Sequence, residues 1–316
     1  MPIPGLHHVT AIATDPQHNL DFYCGVLGLR LVKRTVNFDD PGTYHFYFGD
    51  ARGTPGTLLT FFPWAGARRA RRGTGQVETT AYAIPPGSIR YWLERLKAHG
   101  VSVEHAPARF GEEVIRFADP DGMLLELVAT APPTGVEPWP GAVPAEHALR
   151  GFHGVTAALE GYERTAKLLT ETFGWRLVNE FGNRFRFAPA GDAAEPGRFV
   201  DLVCMPDGQR AGGGAGSVHH IAFRVENDQE QRRWRERIVS LGFDVSPVMD
   251  RTYFHSIYFR EPGGILFEIA TDGPGFLIDE PAASLGESLK VPPWLEAIRE
   301  RLERVLPPIT VPKNAP

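Results

Sequence analysis

The chain predicts an α+β fold made of four βαβββ modules, and three observations carry that reading. Two long passages repeat one order of parts. "LHHVTAI" (6–12) leads to "FADPDGMLLELVAT" (117–130), and "FHGVTAA" (152–158) leads to "FREPGGILFEIATD" (259–272). Phe152 follows Leu6 by 146 positions (152 − 6), and Glu268 follows Glu126 by 142 (268 − 126), a near-constant offset that marks duplication. Each half then divides again around an apolar-periodic helix stopped by glycine, at Gly28, Gly100, Gly174 and Gly242. Finally, each helix is followed by three strand-like runs.

Taken in order, module one (5–62) opens on the strand "LHHVTAI", turns into a helix around 16–27 and returns as strands after Gly28. Module two (76–130) repeats this cadence in "TTAYAIPPGSIRYWLERLKAHGVSVEH". Module three (151–205) does so in "VTAALEGYERTAKLLTETFGWRLVNE", and module four (217–271) in "HHIAFRVENDQEQRRWRERIVSLGFDVSP". The N-terminal half, 1–135, and the C-terminal half, 151–271, are joined by a proline-rich linker, 136–150. Residues 272–316 form a tail. Its one helical stretch, "PPWLEAIRERLERVL", has leucine and isoleucine spacing that docks it on the body.

Composition narrows the function classes. With 316 residues and 42% hydrophobic content, the chain can bury a substantial core. A formal charge of −5 and a pI near 6.1 lack the basic footprint of a nucleic-acid binder. "ARRARRG" (67–73) is the local exception, read as a solvated surface turn. Cys24 and Cys204 are too few for a disulfide framework and suggest a reducing compartment. No apolar run nears the roughly 18 residues of a membrane span, and "MPIPGLHHVT" is not a signal peptide, so a cytoplasmic protein without a membrane partner is expected.

The chemistry is concentrated in two histidine doublets. Neighbours on a strand point to opposite faces. In "SVHHIAFRV", His219, Ile221, Phe223 and Val225 share an apolar face expected to meet the helix, leaving His220 with Ala222 and Arg224. In "LHHVTAI", His7 goes with Val9 and Ala11, leaving His8 with Thr10. Matching first-strand positions carry His8, Thr79, Gly154 and His220. Matching last-strand positions carry Glu126 and Glu268, with Thr60 and Val203 at approximately the same place in the other two modules. Pairing modules one and four unites His8, His220 and Glu268, two imidazoles and a carboxylate that suit non-haem Fe(II) with open coordination positions. A set of His153, His219 or His220, and Glu268 competes with it. Phe46, Phe48, Trp64 and Tyr253 are the aromatic residues suited to lining a pocket.

At these residues the sequence resembles the vicinal oxygen chelate superfamily, and within it the hydroquinone and chlorohydroquinone ring-cleaving extradiol dioxygenases. The resemblance spans about 5–290. It rests on "GLHHVT", "FYCGVLGLRLVKRTVNFDDPGTYHFYFGD", "GTPGTLLTFFPW", "EHALRGFHGVT", "VHHIAFRV" and "RTYFHSIYFREPGGILFEIATDGPGF". It implies two curved mixed-sheet barrels with helices outside and modules one and four paired. It also implies Fe(II), or less often Mn(II), on His8, His220 and Glu268, with a small aromatic diol and O2 as substrates and association into homo-oligomers. By the same resemblance His7, Thr10, Arg251, Tyr258 and His219 are pocket or outer-shell residues. His219, Tyr258 and His255 are the acid–base candidates, with Arg251 at the entrance of the strand carrying Ser256, Tyr258 and Arg260. A glyoxalase-like isomerase or a non-catalytic binding protein uses the same architecture. Thr60, where a glyoxalase-like site would bring a second carboxylate, counts against the isomerase.

Overall fold

The computed structural model describes residues 2–191 and 195–311. Module one supplies β1 (Leu6–Ala13), α1 (Pro16–Leu20), β2 (Arg30–Val36), β3 (Tyr44–Gly49) and β4 (Leu58–Pro63). Module two supplies β5 (Gln76–Ile84), α2 (Ile89–Ala98), β6 (Val103–Arg109), β7 (Glu112–Ala118) and β8 (Leu124–Ala129). Module three supplies β9 (Phe152–Leu159), α3 (Glu163–Lys167), β10 (Trp175–Phe181), β11 (Arg184–Pro189) and β12 (Phe199–Cys204). Module four supplies β13 (Val218–Val225), α4 (Asp228–Ser240), β14 (Met249–Asp250), β15 (Phe254–Arg260) and β16 (Leu266–Pro274). α5 (Arg299–Val305) lies in the tail.

Two eight-stranded mixed sheets result. The first runs β14-β15-β16-β13-β1-β4-β3-β2, so modules one and four are joined through β1 and β13. The second runs β10-β11-β12-β9-β5-β8-β7-β6, joining modules two and three through β5 and β9. The central pairs are antiparallel, whereas β1–β4 and β13–β16 are parallel and enclose each module's helix as a crossover. Both halves of the chain therefore contribute to both sheets.

Sequence explains the helices in detail. Asn227 caps α4 by accepting from the Gln229 and Glu230 amides, and the helix buries Gln231, Trp234 and Ile238 on one stripe. Burying the apolar pair contributes about 1.5–3 kcal/mol per side chain. α1 and α3 are shorter than their patterns predict because each widens into a π-turn. There Leu27 N–H bonds Phe22 O at 3.0 Å, and Phe173 N–H bonds Leu168 O at 3.0 Å. β14 is only two residues long, where a full strand is predicted, because Pro247 offers no amide donor to the sheet.

Several connecting segments differ from their sequence reading. "ARRARRG" is not a free turn. It pairs with the glycine-rich 211–216 segment, Arg71 and Gly212 exchanging two backbone bonds of 2.9 Å, so the two intermodule connectors clasp each other. Linker residues Val143, Ala148 and Leu149 are buried against the body. In the tail the helical stretch begins as a 3-10 segment, Pro293–Ile298, before α5, and buries Leu302 and Leu306 in the main core. Tail residues 312–316 lie outside the described residues. No helix among the described residues is long and apolar enough to cross a membrane.

Candidate metal centre and pocket

Register decides which side chains meet. Along β1 and β13, Leu6 faces Phe223 and His8 faces Ala222, so His7 is an extra residue in β1. Thr10 faces His220 and Ala11 faces Val218, so His219 is an extra residue in β13. Both are β-bulges, which re-aim side chains and break strict alternation. The alternation that sets His7 and His219 on the helix side therefore fails. His7 Nδ1 lies 2.9 Å from His8 Nδ1, and His219 Nδ1 lies 2.8 Å from His220 Nδ1. Each doublet acts as a unit, with the first ring orienting the second.

The second rings converge. His8 Nε2 lies 3.3 Å from His220 Nε2 and 3.3 Å from Glu268 Oε2, and His220 Nε2 lies 2.9 Å from that same oxygen. All three residues are buried. Ser256 donates to Glu268 Oε1 at 2.5 Å, while Oε2 accepts no hydrogen bond and has no access to solvent. An orphaned carboxylate oxygen beside two imidazole nitrogens is costly unless a cation completes it. The spacings suit one, since cis ligands with metal bonds of about 2.1 Å stand about 3 Å apart. The competing set fails on position. His153 belongs to the second sheet, where its Nε2 donates to Glu112 at 2.7 Å.

Electrostatics prepares the donors. Burial, reinforced by neighbouring charge, pushes His7 and His45 well below the ordinary imidazole pKa. His220 is also lowered by burial, against the pull of Glu268. For Glu268 burial works toward protonation, but His8 and His220 outweigh it and hold the carboxyl well below its usual range. An ionised carboxylate and a neutral His220 are the states that ligate metal.

The centre opens on a cavity of about 450 Å³. Tyr258 lines it, its ring 5.6 Å from His220, and Arg251 stacks over Tyr258 at 5.6 Å while bonding Asp39 at 3.1 Å. His219 stands at the exposed edge. Desolvation by the wall and then the nearby His220 lower its pKa to about 4. Trp64 lines the cavity as expected.

Other expected residues fall elsewhere. His7 is buried against Phe254, behind His8. Thr10 is buried and bonds Thr60 at 2.8 Å, one layer out from the cavity. His255 points to the opposite side of the sheet, its Nδ1 donating to Asp228 of α4 at 2.6 Å, which removes it as an acid–base group for this pocket. Arg260 is exposed and donates to Gly264 O. Phe46 and Phe48 pack on the helix side, Phe48 lying 5.2 Å from Tyr23. Tyr253 is buried over Lys33, its hydroxyl donating to Asp279.

Sequence reading missed His45 and Tyr47, both of which line the cavity. The signal was available in "TYHFYFGD". With Phe46 and Phe48 on the core face, alternation assigns His45 and Tyr47 to the other face. His45 bonds Thr60 through Nε2 at 2.9 Å and Tyr47 through Nδ1 at 3.0 Å. The module-three counterpart of Glu268 lies two residues before the approximate position expected from the repeat. Thr156 pairs with Asp201 as Ala222 pairs with Glu268, so the matching residue is Asp201 and not Val203.

Comparisons with known proteins place the chain in a family. The model of the "Glyoxalase/Bleomycin resistance protein/Dioxygenase superfamily" matches residues 5–127 and 151–269. The chain is 48% identical over 307 residues to the "Putative ring-cleaving dioxygenase MhqO" of Bacillus subtilis (strain 168), covering 97% of each chain. It is 36% identical over 312 residues to the chlorohydroquinone/hydroquinone 1,2-dioxygenase of Sphingobium indicum, covering 96% of each. The crystal structure of a "putative dioxygenase" from Bacillus subtilis superposes with a TM-score of 0.92 at 46% identity, covering 98% of this chain and 99% of that one. Glyoxalase I from Zea mays, at 14% identity, TM-score 0.63 and coverage of 85% and 92%, shares the fold alone. The chain belongs to the glyoxalase/bleomycin resistance protein/dioxygenase superfamily.

Proposed function

We propose that this chain, a ring-cleaving dioxygenase by kinship, opens a dihydroxy-aromatic ring in extradiol fashion with O2, using Fe(II) on His8, His220 and Glu268. One observation carries the choice of metal chemistry: a buried carboxylate oxygen with no hydrogen bond lies 2.9 and 3.3 Å from two imidazole nitrogens. Three protein donors leave open positions, the arrangement of iron oxygenases. Fe(II) held there by His8, His220 and Glu268 would supply acidification of a ring hydroxyl and a route for electrons between diol and O2.

The protein's own groups handle orientation and protons. If Nε2 of His220 held the metal, its Nδ1–H would donate to His219 Nδ1 and leave His219 an Nε2–H. His219 in that tautomer is a hydrogen-bond donor rather than a base. His8 and His7 repeat the relation. Arg251, stacked on Tyr258, brings positive charge to the cavity wall, where it stabilises an ionised substrate oxygen.

The test is anaerobic Fe(II) reconstitution followed by oxygen-uptake assays over hydroquinones and catechols. Uptake with a diphenol and a ring-opened acid as product are expected. Bound iron with no uptake on any diphenol overturns the reading. Tyr258→Phe is expected to lower turnover while leaving iron content unchanged.

A further inference from the structure

Strand register gives the first sheet an internal twofold relation. β15 and β3 each lie two strands out from the central β13–β1 pair. Tyr258 pairs with Glu268 as Tyr47 pairs with Thr60. Two residues earlier on each strand, Ser256 bonds Glu268, and His45 bonds Thr60. Tyr47 is thus the counterpart of Tyr258 on the other side of the hollow. The carboxylate that would complete the symmetry is replaced by the Thr60 hydroxyl, so this position offers no second carboxylate beside Glu268.

The lining rings close a circuit. From His8 it passes to Phe254 (5.0 Å), Tyr47 (6.4 Å) and His45 (4.1 Å), then to Phe62 (4.4 Å), His219 (6.0 Å) and His220 (5.1 Å). His8 and His220 close it at 5.4 Å. The Tyr47–His45 pair stands midway around this loop and lines the same cavity as the metal donors. A chain of hydrogen bonds runs outward from it, Tyr47 to His45 at 3.0 Å, His45 to Thr60 at 2.9 Å and Thr60 to Thr10 at 2.8 Å. Each member can donate or accept, so the chain can reverse direction as a unit. In one direction Tyr47 accepts a hydrogen bond, and in the other it donates one. No net proton leaves the ligand in either case.

Resting on the proposed ring-cleaving reading, we infer that Tyr47, held by His45, Thr60 and Thr10, binds the substrate oxygen remote from the metal and selects diols that carry one. Tyr47 is the contacting residue, and the other three are positioning residues.

Anaerobic titration of the Fe(II)-loaded protein with hydroquinone and with phenol separates the two ends of the ligand, since phenol lacks the remote oxygen. Wild type is expected to bind hydroquinone about tenfold more tightly than phenol. Tyr47→Phe and Thr60→Val are expected to shrink that ratio to about twofold or less with the phenol Kd unchanged, while Thr60→Ser, which keeps the hydroxyl, restores it. The unchanged phenol Kd also certifies folding and iron loading. A ratio that survives Tyr47→Phe, or equal weakening of both ligands, overturns the inference and leaves the dioxygenase reading standing. An iron-loaded wild type that binds neither ligand overturns both.

Discussion

The two sheets occupy the same scaffold and carry opposite chemistry. Both have a bulge on each central strand: His7 and His219 in the first, His153 and Glu78 in the second. Both bury carboxylates on the inner strands. In the second sheet, however, Thr79 and Gly154 stand where His220 and His8 stand in the first. Its carboxylates are also saturated. Glu126 is gripped by Arg109 and Arg116, Asp201 by Arg184 and Arg186, and Glu112 by His153 and Arg186. A β-carbon on Gly154 would meet the Phe199 carbonyl oxygen at 2.2 Å, so the backbone has closed over the place a histidine would need. Guanidinium fills one sheet as a fixed cation, whereas the other keeps a carboxylate and two imidazoles for a cation that binds from outside. Buried charge is tolerable in both, but only the second sheet is complete as folded.

The largest effect expected from breaking this comparison is in the first sheet. His220→Ala or Glu268→Gln should lose bound iron and at least about a thousandfold of oxygen uptake together, read by metal analysis and an oxygen electrode. In the second sheet, Glu126→Gln should destabilise the fold by about 3–5 kcal/mol, because two arginines lose their shared anion. Its urea midpoint should fall while iron content stays at the wild-type level. Equal loss of iron in both variants would dissolve the contrast.

Smaller effects sharpen it. His7→Phe removes the acceptor behind His8 and should weaken iron binding by about 10–100-fold without a matching change in urea midpoint. Glu112 gives a pH signature confined to the second sheet. Burial favours its protonated form, but His153 and Arg186 outweigh burial and hold the pKa down to about 2. A depressed carboxyl pKa stabilises the fold fully above the unfolded value of about 4.3 and loses that contribution as pH falls through about 2. Glu112→Gln should cost about 2 kcal/mol near neutral pH, and the gap to wild type should narrow on acidification. A gap constant between pH 7 and pH 2.5 would refute the assignment.

Much of this was legible from residue patterns, and the failures have separate causes. Repeat offsets and glycine-stopped helices revealed the modules, and the distribution of histidines implied that the first and last modules pair. Alternation separated His8 and His220 from apolar neighbours. The same rule assigned His219 to the helix face, although applied to "TYHFYFGD" it finds His45 and Tyr47 opposite Phe46 and Phe48. It failed for His219 because an extra residue in a strand reverses alternation beyond it, and nothing in the local sequence announces where a partner strand will leave a residue unpaired. His255 is an acid–base candidate in the sequence, yet its ring pairs with Asp228 on the α4 side.

What the sequence determined alone was the architecture and the stock of ligating groups, since periodicity and duplication are properties of one chain read in order. Only tertiary structure decided which carboxylate remains free. Glu126 and Glu268 occupy equivalent positions on equivalent strands, and they differ only in what the fold brings beside them. Arginines from β6 and β7 reach Glu126, and imidazoles from β1 and β13 reach Glu268. A carboxylate's chemistry belongs to its surroundings, because in a buried site the neighbouring charges, rather than water, fix its protonation and its partners.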